Sequence, residues 1–395
     1  MVPNGWEIRS LSQVSKVIDC KHRTPHYVES GIPLISPGTI KWGALDLISP
    51  TKRVTEEEYQ SLMDHCTVEV GDLVMSRNQS VGVLSFVDSK EPFVLGQDTV
   101  LIKPENSDGK FLFYKIQSYE VQKKIVKLAG GSTFSRINLA DIRKLTFEYP
   151  PLNEQQKIAQ ILSTWDQAIS ATEKLLENSQ QQKKALMQQL LTGKKRLLDE
   201  NGVKFIKPWD ICELKDIAQI IMGSSPKSEF YNDLGHGLPL IQGNADIKNR
   251  YSNPRIYTSE ITKECINEDV LLSVRAPVGT VARSKHHACI GRGIAAIRAK
   301  LNVSQSFLYH LMIWKEPKWA NFSQGSTFES INSDDIKSLK LLVPTLEEQK
   351  KIGRVLYLAD QEIETLQKKL DCLKQEKKAL MQQLLTGKKR VKVAA

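Results

Sequence analysis

The chain has 395 residues, of which 41% are hydrophobic and 25% charged, and a formal net charge of +10. That length suits two domains, each able to bury a core of its own, and the composition is that of a globular rather than a disordered or fibrous chain. The longest apolar stretches, such as Val355 to Ala359, fall far short of the roughly 20 residues a membrane span needs, so no membrane is expected.

The first residues, Met1-Val2-Pro3-Asn4-Gly5-Trp6, lack the basic-then-apolar layout of a secretory signal, and a cytoplasmic protein is expected. The six cysteines (Cys20, Cys66, Cys212, Cys265, Cys289 and Cys372) show no CxxC spacing. In a reducing compartment they read as free thiols, with neither disulfides nor a bound metal. The excess of cations favours a polyanionic partner, nucleic acid first.

In chain order, residues 1–149 form a first mixed α/β domain. Strand-like runs at Leu73-Val74-Met75, Val81-Gly82-Val83-Leu84 and Val100-Leu101-Ile102 are separated by turn residues. Arg77, Asn78 and Gln79 fall between two of these strands. Arginine pairs bidentately with guanine, and Asn or Gln with adenine, so these three are candidate base readers. Lys41, Trp42 and Arg136 join them. The GSTF run at Gly131 to Phe134 offers Ser132 and Thr133 as phosphate contacts or as a plain structural turn. Residues 150–197 read as a long helix and 198–208 as a linker. Residues 209–343 are a second domain with a strand at Val270-Leu271-Leu272. Its candidate readers are Gln242, Asn244, Arg275, Arg283, Lys285 and Arg292, with Ser326 and Thr327 in a second GSTF run. A second long helix, 344–390, and a tail, 391–395, complete the chain.

The two halves repeat. KKALMQQLLTGKKR occupies Lys183 to Arg196 and recurs letter for letter at Lys377 to Arg390. The same offset of 194 residues aligns Pro150 with Pro344, Glu154-Gln155 with Glu348-Gln349, Asp166-Gln167 with Asp360-Gln361, and the two GSTF runs. Further upstream only a pattern survives, as in Trp6 against Trp209 and GIPLI at Gly31 against GLPLI at Gly237. A frame that stays identical while its globular parts diverge implies two halves doing the same kind of job on different targets.

Both helices carry apolar residues at alternating steps of four and three. The first runs through Ile158, Leu162, Trp165, Ile169, Leu176, Leu186 and Leu190, with Thr172, Ser179 and Lys183 weakening it. The second runs through Ile352, Leu356, Ala359, Ile363, Leu366, Leu370, Leu373, Leu380 and Leu384, broken by Lys377. This is the 3.5-residue period of a coiled coil. Pro150-Pro151 and Pro344-Thr345 mark the starts, with Thr345 and Glu348 at capping-box spacing, and Gly193 and Gly387 supply left-handed stops. Each helix should run about 39 residues, roughly 58 Å at 1.5 Å per residue. Helices that long outreach a single domain and most simply cover each other. Antiparallel packing lets the second domain begin and end at one place, which domains commonly do. The expected fold is therefore mixed α/β: two globular recognition domains separated by two long antiparallel coiled-coil helices, a pseudo-twofold dumbbell.

Catalytic signatures are not found. The chain has no GxxxxGK[ST], no GxGxxG and no Asn-Pro-Pro-aromatic run of the kind that grips a flipped base. Glu348-Gln349-Lys350 and Glu376-Lys377-Lys378 have nuclease-like spacing but lie in helix and read as capped or solvated. His286, His287 and Cys289 lack a second ligand cluster and read as a surface strand. A non-catalytic chain is expected; a protein-only coiled-coil adaptor and a self-contained DNA-cleaving (restriction) or methylating enzyme are the alternatives that the absent motifs and the basic charge argue against.

The layout of a variable domain ending in GSTF..IN..DI..L, then EQ..I and a helix closing on ALMQQLLTGK, repeated twice over essentially the whole chain, resembles the specificity subunit of type I restriction-modification enzymes. The resemblance implies double-stranded DNA as a ligand and a split recognition site with one half per domain. It also implies an unread spacer set by the helices. The partners it implies are two methyltransferase subunits that use S-adenosylmethionine, and restriction subunits that use ATP and Mg.

Overall fold

The computed structural model describes residues 2–130, 135–322 and 330–393. The chain divides into two compact units: unit 1 comprises residues 1–173 and 369–395, and unit 2 residues 174–368. Two helices of 39 residues, Leu152–Leu190 and Leu346–Leu384, are the longest elements, and each unit contains a part of both.

In unit 1 a five-stranded sheet runs in the order Ser15–Asp19, Thr99–Pro104, Leu73–Ser76, Leu84–Phe86, Gly43–Ala44. Leu73, Val74 and Met75 are fully buried, as expected of a short apolar run covered on both faces. A smaller sheet pairs Ile32–Ile35 antiparallel with Arg53–Val54 and parallel with Val94–Leu95. Unit 2 repeats the plan. Its larger sheet places Val270–Ser273 between Ile294–Ala299 and Val281–Arg283. Its smaller one pairs Leu238–Ile241 parallel with Ala288–Ile290. In each unit a two-stranded ribbon, Glu7–Ser10 with Thr146–Tyr149 or Asp210–Glu213 with Lys340–Val343, brings the start of the globular part to the strand that leads into a long helix.

The expected helical seam is the face of both helices withdrawn from solvent. Ile158, Leu162, Leu176, Leu190, Ile352, Leu356, Leu370 and Leu384 are buried, and Trp165, Ile169, Leu186, Ile363, Leu366, Leu373 and Leu380 are half-buried. Truncating a fully buried leucine such as Leu162 removes contacts worth about 2–5 kcal/mol. Within each unit the helices run antiparallel. In unit 1 Glu154 meets Arg390, Asp166 meets Lys377 and Glu173 meets Lys374. In unit 2 Lys183 meets Asp360 and Arg196 meets Glu348. The two lysines expected to break the seam thus complete it with ion pairs. Gly193 and Gly387 stop the helices with φ of 71° and 68°, and the N–H two residues on reaches back to Gln189 or Gln383.

One expectation about the helix starts is corrected. Thr345 and Glu348 do not form a capping box: Thr345 Oγ1 is buried with no hydrogen-bond partner among the described residues. The Glu348 carboxylate instead accepts from Arg196 Nε and Nη2 (2.6 and 2.7 Å) and from Trp209 Nε1 (3.1 Å). A buried carboxylate needs charge-assisted partners, and a guanidinium fork supplies them better than a lone hydroxyl. The matching Glu154 is held by Arg390 and by Trp6 Nε1 (3.2 Å). The nuclease-like spacings therefore belong to helix–helix pairing, since Lys377 is bonded to Asp166.

Candidate nucleic-acid interface

Each unit opens a polar cavity at one end of its two sheets, where three loops converge: the loops after the two parallel strands of the small sheet and the hairpin turn of the large sheet. In unit 1, of about 460 Å³, these loops contribute Ser36 and Gly38, Gln97 and Asp98, and Asn78 and Gln79; Arg23, Thr24, Tyr27 and Lys52 complete the wall. In unit 2, of about 570 Å³, they contribute Gln242 and Asn244, Arg292 and Gly293, and Arg275. Ser225, Ser228 and Tyr231 lie beside them.

The candidate residues separate accordingly. Asn78 and Gln79 line the first cavity, and Gln242, Asn244, Arg275 and Arg292 line the second. Arg136 stands at the first cavity's edge, pairing with Asn78 across a β-bridge and binding Asp98 at 2.7 Å. Arg77 and Arg283 are not there. Arg77 is buried, its guanidinium donating to both Asp19 oxygens (2.7 and 3.0 Å) and to the Ile137 carbonyl. It braces the hairpin from behind. Arg283 is buried over the Tyr309 ring (4.2 Å to the centroid), 3.3 Å from Glu268. Lys285 lies over Tyr251 at 3.5 Å, and Lys41 and Trp42 precede an edge strand with Trp42 edge-on to Phe113, away from the cavity lining. Ser132, Thr133, Ser326 and Thr327 lie outside the described residues.

Sequence reasoning missed Gln97, Arg23 and Lys52. Gln97 has the clearest signal in retrospect: it follows Gly96 as Arg292 follows Gly291, and both glycine N–H groups donate back to the small sheet, to Ile35 and Ile241. Arg23 is spoken for, forked onto Glu58 at 2.7 and 2.9 Å, which holds its pKa above the ordinary guanidinium value. Lys52 lies over Tyr27 at 5.0 Å.

Among the described residues, one group has ligand atoms close enough for a metal: Asp19, Cys20 and His22. Its chemistry fits poorly. Both Asp19 oxygens are engaged by Arg77, one also contacts His22, and burial pushes the Cys20 thiol up, away from the thiolate a metal needs. His286 hydrogen-bonds Ser252 and His287 faces Glu264, while Cys289 is buried in the small sheet rather than on a surface strand. Among the described residues no helix is long and apolar enough to cross a membrane.

Loops bearing amides and guanidiniums at matching places on a repeated frame are what base-edge reading by two related modules requires. Residues 3–179 and 206–375 match the family model described as the type I restriction modification DNA specificity domain. The chain belongs to this family. It is 32% identical to the MjaX type I restriction enzyme specificity subunit of Methanocaldococcus jannaschii, over 99% of this chain and 95% of that one. The MjaVIII specificity subunit of the same organism is 24% identical over 99% and 94%. In fold it resembles the crystal structure of the type I restriction-modification S subunit from M. genitalium, with a TM-score of 0.67, 98% of each chain covered and 18% identity. The chain is thus the DNA-recognition component of a type I restriction-modification system, with two matches to the specificity domain and two long helices.

Proposed function

We propose that unit 1 and unit 2 each read one half of a bipartite, asymmetric duplex site through their loop cavities, and that the length of the helix pair sets the unread spacer. The same helix frame docks two methyltransferase subunits. Restriction subunits join through that core, in the cytoplasm. S-adenosylmethionine, ATP and Mg serve those partners, and this chain binds none of them. The observation that carries the reading is the pair of equivalent cavities carrying different polar side chains on a frame that repeats at a fixed offset of 194 residues, letter for letter over KKALMQQLLTGKKR.

The decisive experiment is to map methylated positions in DNA exposed to the chain assembled with its methyltransferase subunits. A two-part motif with a fixed gap is expected. Four residues inserted into each long helix add one turn, about 6 Å, and should widen the gap by roughly two base pairs at 3.4 Å each while leaving both half-motifs alone. An unaltered gap refutes the ruler. Duplex binding that weakens steeply with salt is expected from phosphate contacts, and an absence of binding at low salt would favour a protein-only adaptor.

A further inference from the structure

The two cavities differ in chemistry at positions that the backbone makes equivalent. Gln97 and Arg292 each follow a glycine whose N–H donates at 2.8 Å to the small sheet, Gly96 to Ile35 and Gly291 to Ile241. Asn78 and Arg275 each form an isolated antiparallel bridge, with Arg136 and Ser330, which are themselves one repeat offset apart. At both positions unit 1 carries an amide and unit 2 a guanidinium.

Availability narrows the choice. Asn78 is committed, its Nδ2 donating to Asp98 at 2.7 Å. Gln97 is exposed, and its amide has one long contact, 3.4 Å to Thr24 Oγ1. In unit 2 Gln242 donates to the Tyr231 hydroxyl at 2.9 Å. Arg275 and Arg292 are exposed and have no ion-pair partner among the described residues. The local charge differs in step. The loop carbonyl that receives the Arg77 N–H in unit 1 belongs to Asp98, and the one that receives the Val274 N–H in unit 2 belongs to Gly293. Among the described residues lining the unit 2 cavity there is therefore no carboxylate beside its arginines, while in unit 1 the carboxylate is offset by Arg136.

A primary amide presents one donor and one acceptor in a plane, matching the N6–H and N7 of adenine. A guanidinium presents two parallel donors, matching O6 and N7 of guanine, and meets adenine's amino group donor to donor. We propose that, at corresponding base pairs of the two half-sites, unit 1 reads adenine through Gln97 and unit 2 reads guanine through Arg292, with Arg275 as its second cation. This assignment rests on the reading of the cavities as DNA-binding.

The test uses the full chain assembled with its methyltransferase subunits, with methylated motifs mapped over a random-sequence plasmid library. Gln97→Arg should convert one A·T position in one half-motif to G·C, with a preference of about tenfold or more, leaving the other half and the gap unchanged. Arg292→Gln should make the reverse change in the other half. Arg292→Lys, which keeps the charge but loses the fork, should relax that position while preserving affinity for random duplex in a gel shift. Both sites are exposed, and circular dichroism with co-purification of the partner subunits verifies that each variant folds and assembles. With assembly intact, an unmoved motif, a position relaxed equally to all four bases in Gln97→Arg, or both variants altering the same half would overturn the base assignment alone. A wild-type complex that methylates no two-part motif would overturn the functional reading beneath it, and the assignment with it.

Discussion

Unit 1 and unit 2 hold their long helices with the same groups and yet load them differently. Each has a tryptophan and an arginine on one helix glutamate, Trp6 and Arg390 on Glu154, Trp209 and Arg196 on Glu348. Each has a lysine on one helix aspartate, and a ring from the globular part reaches that same aspartate: Tyr114 on Asp166, His310 on Asp360. The difference lies in burial and in the ring. Arg196 is 16% exposed and Arg390 40%, and unit 2 presents an imidazole nitrogen where unit 1 presents a phenol hydroxyl. A shared frame tolerates such exchanges because each replacement supplies a donor at the same point in space.

The largest effect should come from the glutamates. Glu348→Ala leaves a mostly buried guanidinium unpaired and should cost about 3–5 kcal/mol. Glu154→Ala, whose arginine can turn to water, should cost about 1–3 kcal/mol. Urea titration followed by tryptophan fluorescence compares the two, and equal losses would erase the distinction. Next in size is Arg77→Met, expected to destabilise unit 1 by about 2–3 kcal/mol because it strips a buried brace and leaves Asp19 without its cation.

A pH titration sharpens the comparison of the rings. Burial alone would raise the pKa of Asp360, but the His310 hydrogen bond and the Lys183 charge outweigh it and hold the carboxyl below its ordinary value of 3.8. A depressed folded-state pKa gives stability that is complete above the ordinary value and is lost as pH falls through the lower, folded one. Unit 2 should therefore weaken as pH drops below about 4, and Asp360→Asn should remove that part of the slope. Acid unfolding curves that superimpose for the two proteins would refute the link. The smallest effect on stability should be that of Arg275→Met, within about 0.5 kcal/mol of the parent. Its mark should appear instead in DNA binding, as a loss of discrimination or of about one unit from the salt slope; Arg77→Met, folded, should leave that slope unmoved.

The frame was legible in the sequence because its signals are periodic and repeated: the four-three spacing from Ile158 to Leu190 and from Ile352 to Leu384 places the buried stripe directly. Lys183 and Lys377 looked like defects because their partners, Asp360 and Asp166, lie 177 and 211 residues away. The cavities were only half legible. Residue type picks out arginines near turns but does not say which way they face, so Arg77 and Arg275 looked alike although one is a strut and the other is exposed. A single glutamine such as Gln97 carries no local pattern at all. Its place becomes visible only when the parallel strands align Gly96 with Gly291.

Unit 2 is one uninterrupted stretch of chain, whereas unit 1 is assembled from both ends of it. Leu384 and Leu385 sit in the same core as Trp6, Leu11 and Ile158, and the Leu385 carbonyl receives the buried Lys115 ammonium at 2.5 Å. During synthesis, therefore, the half made second should be the half finished first. Unit 1 must wait, its core short of those two leucines and Lys115 short of its acceptor, until nearly the whole polypeptide has emerged. Pulsed proteolysis of stalled nascent chains should find residues 174–368 protected before residues 1–173.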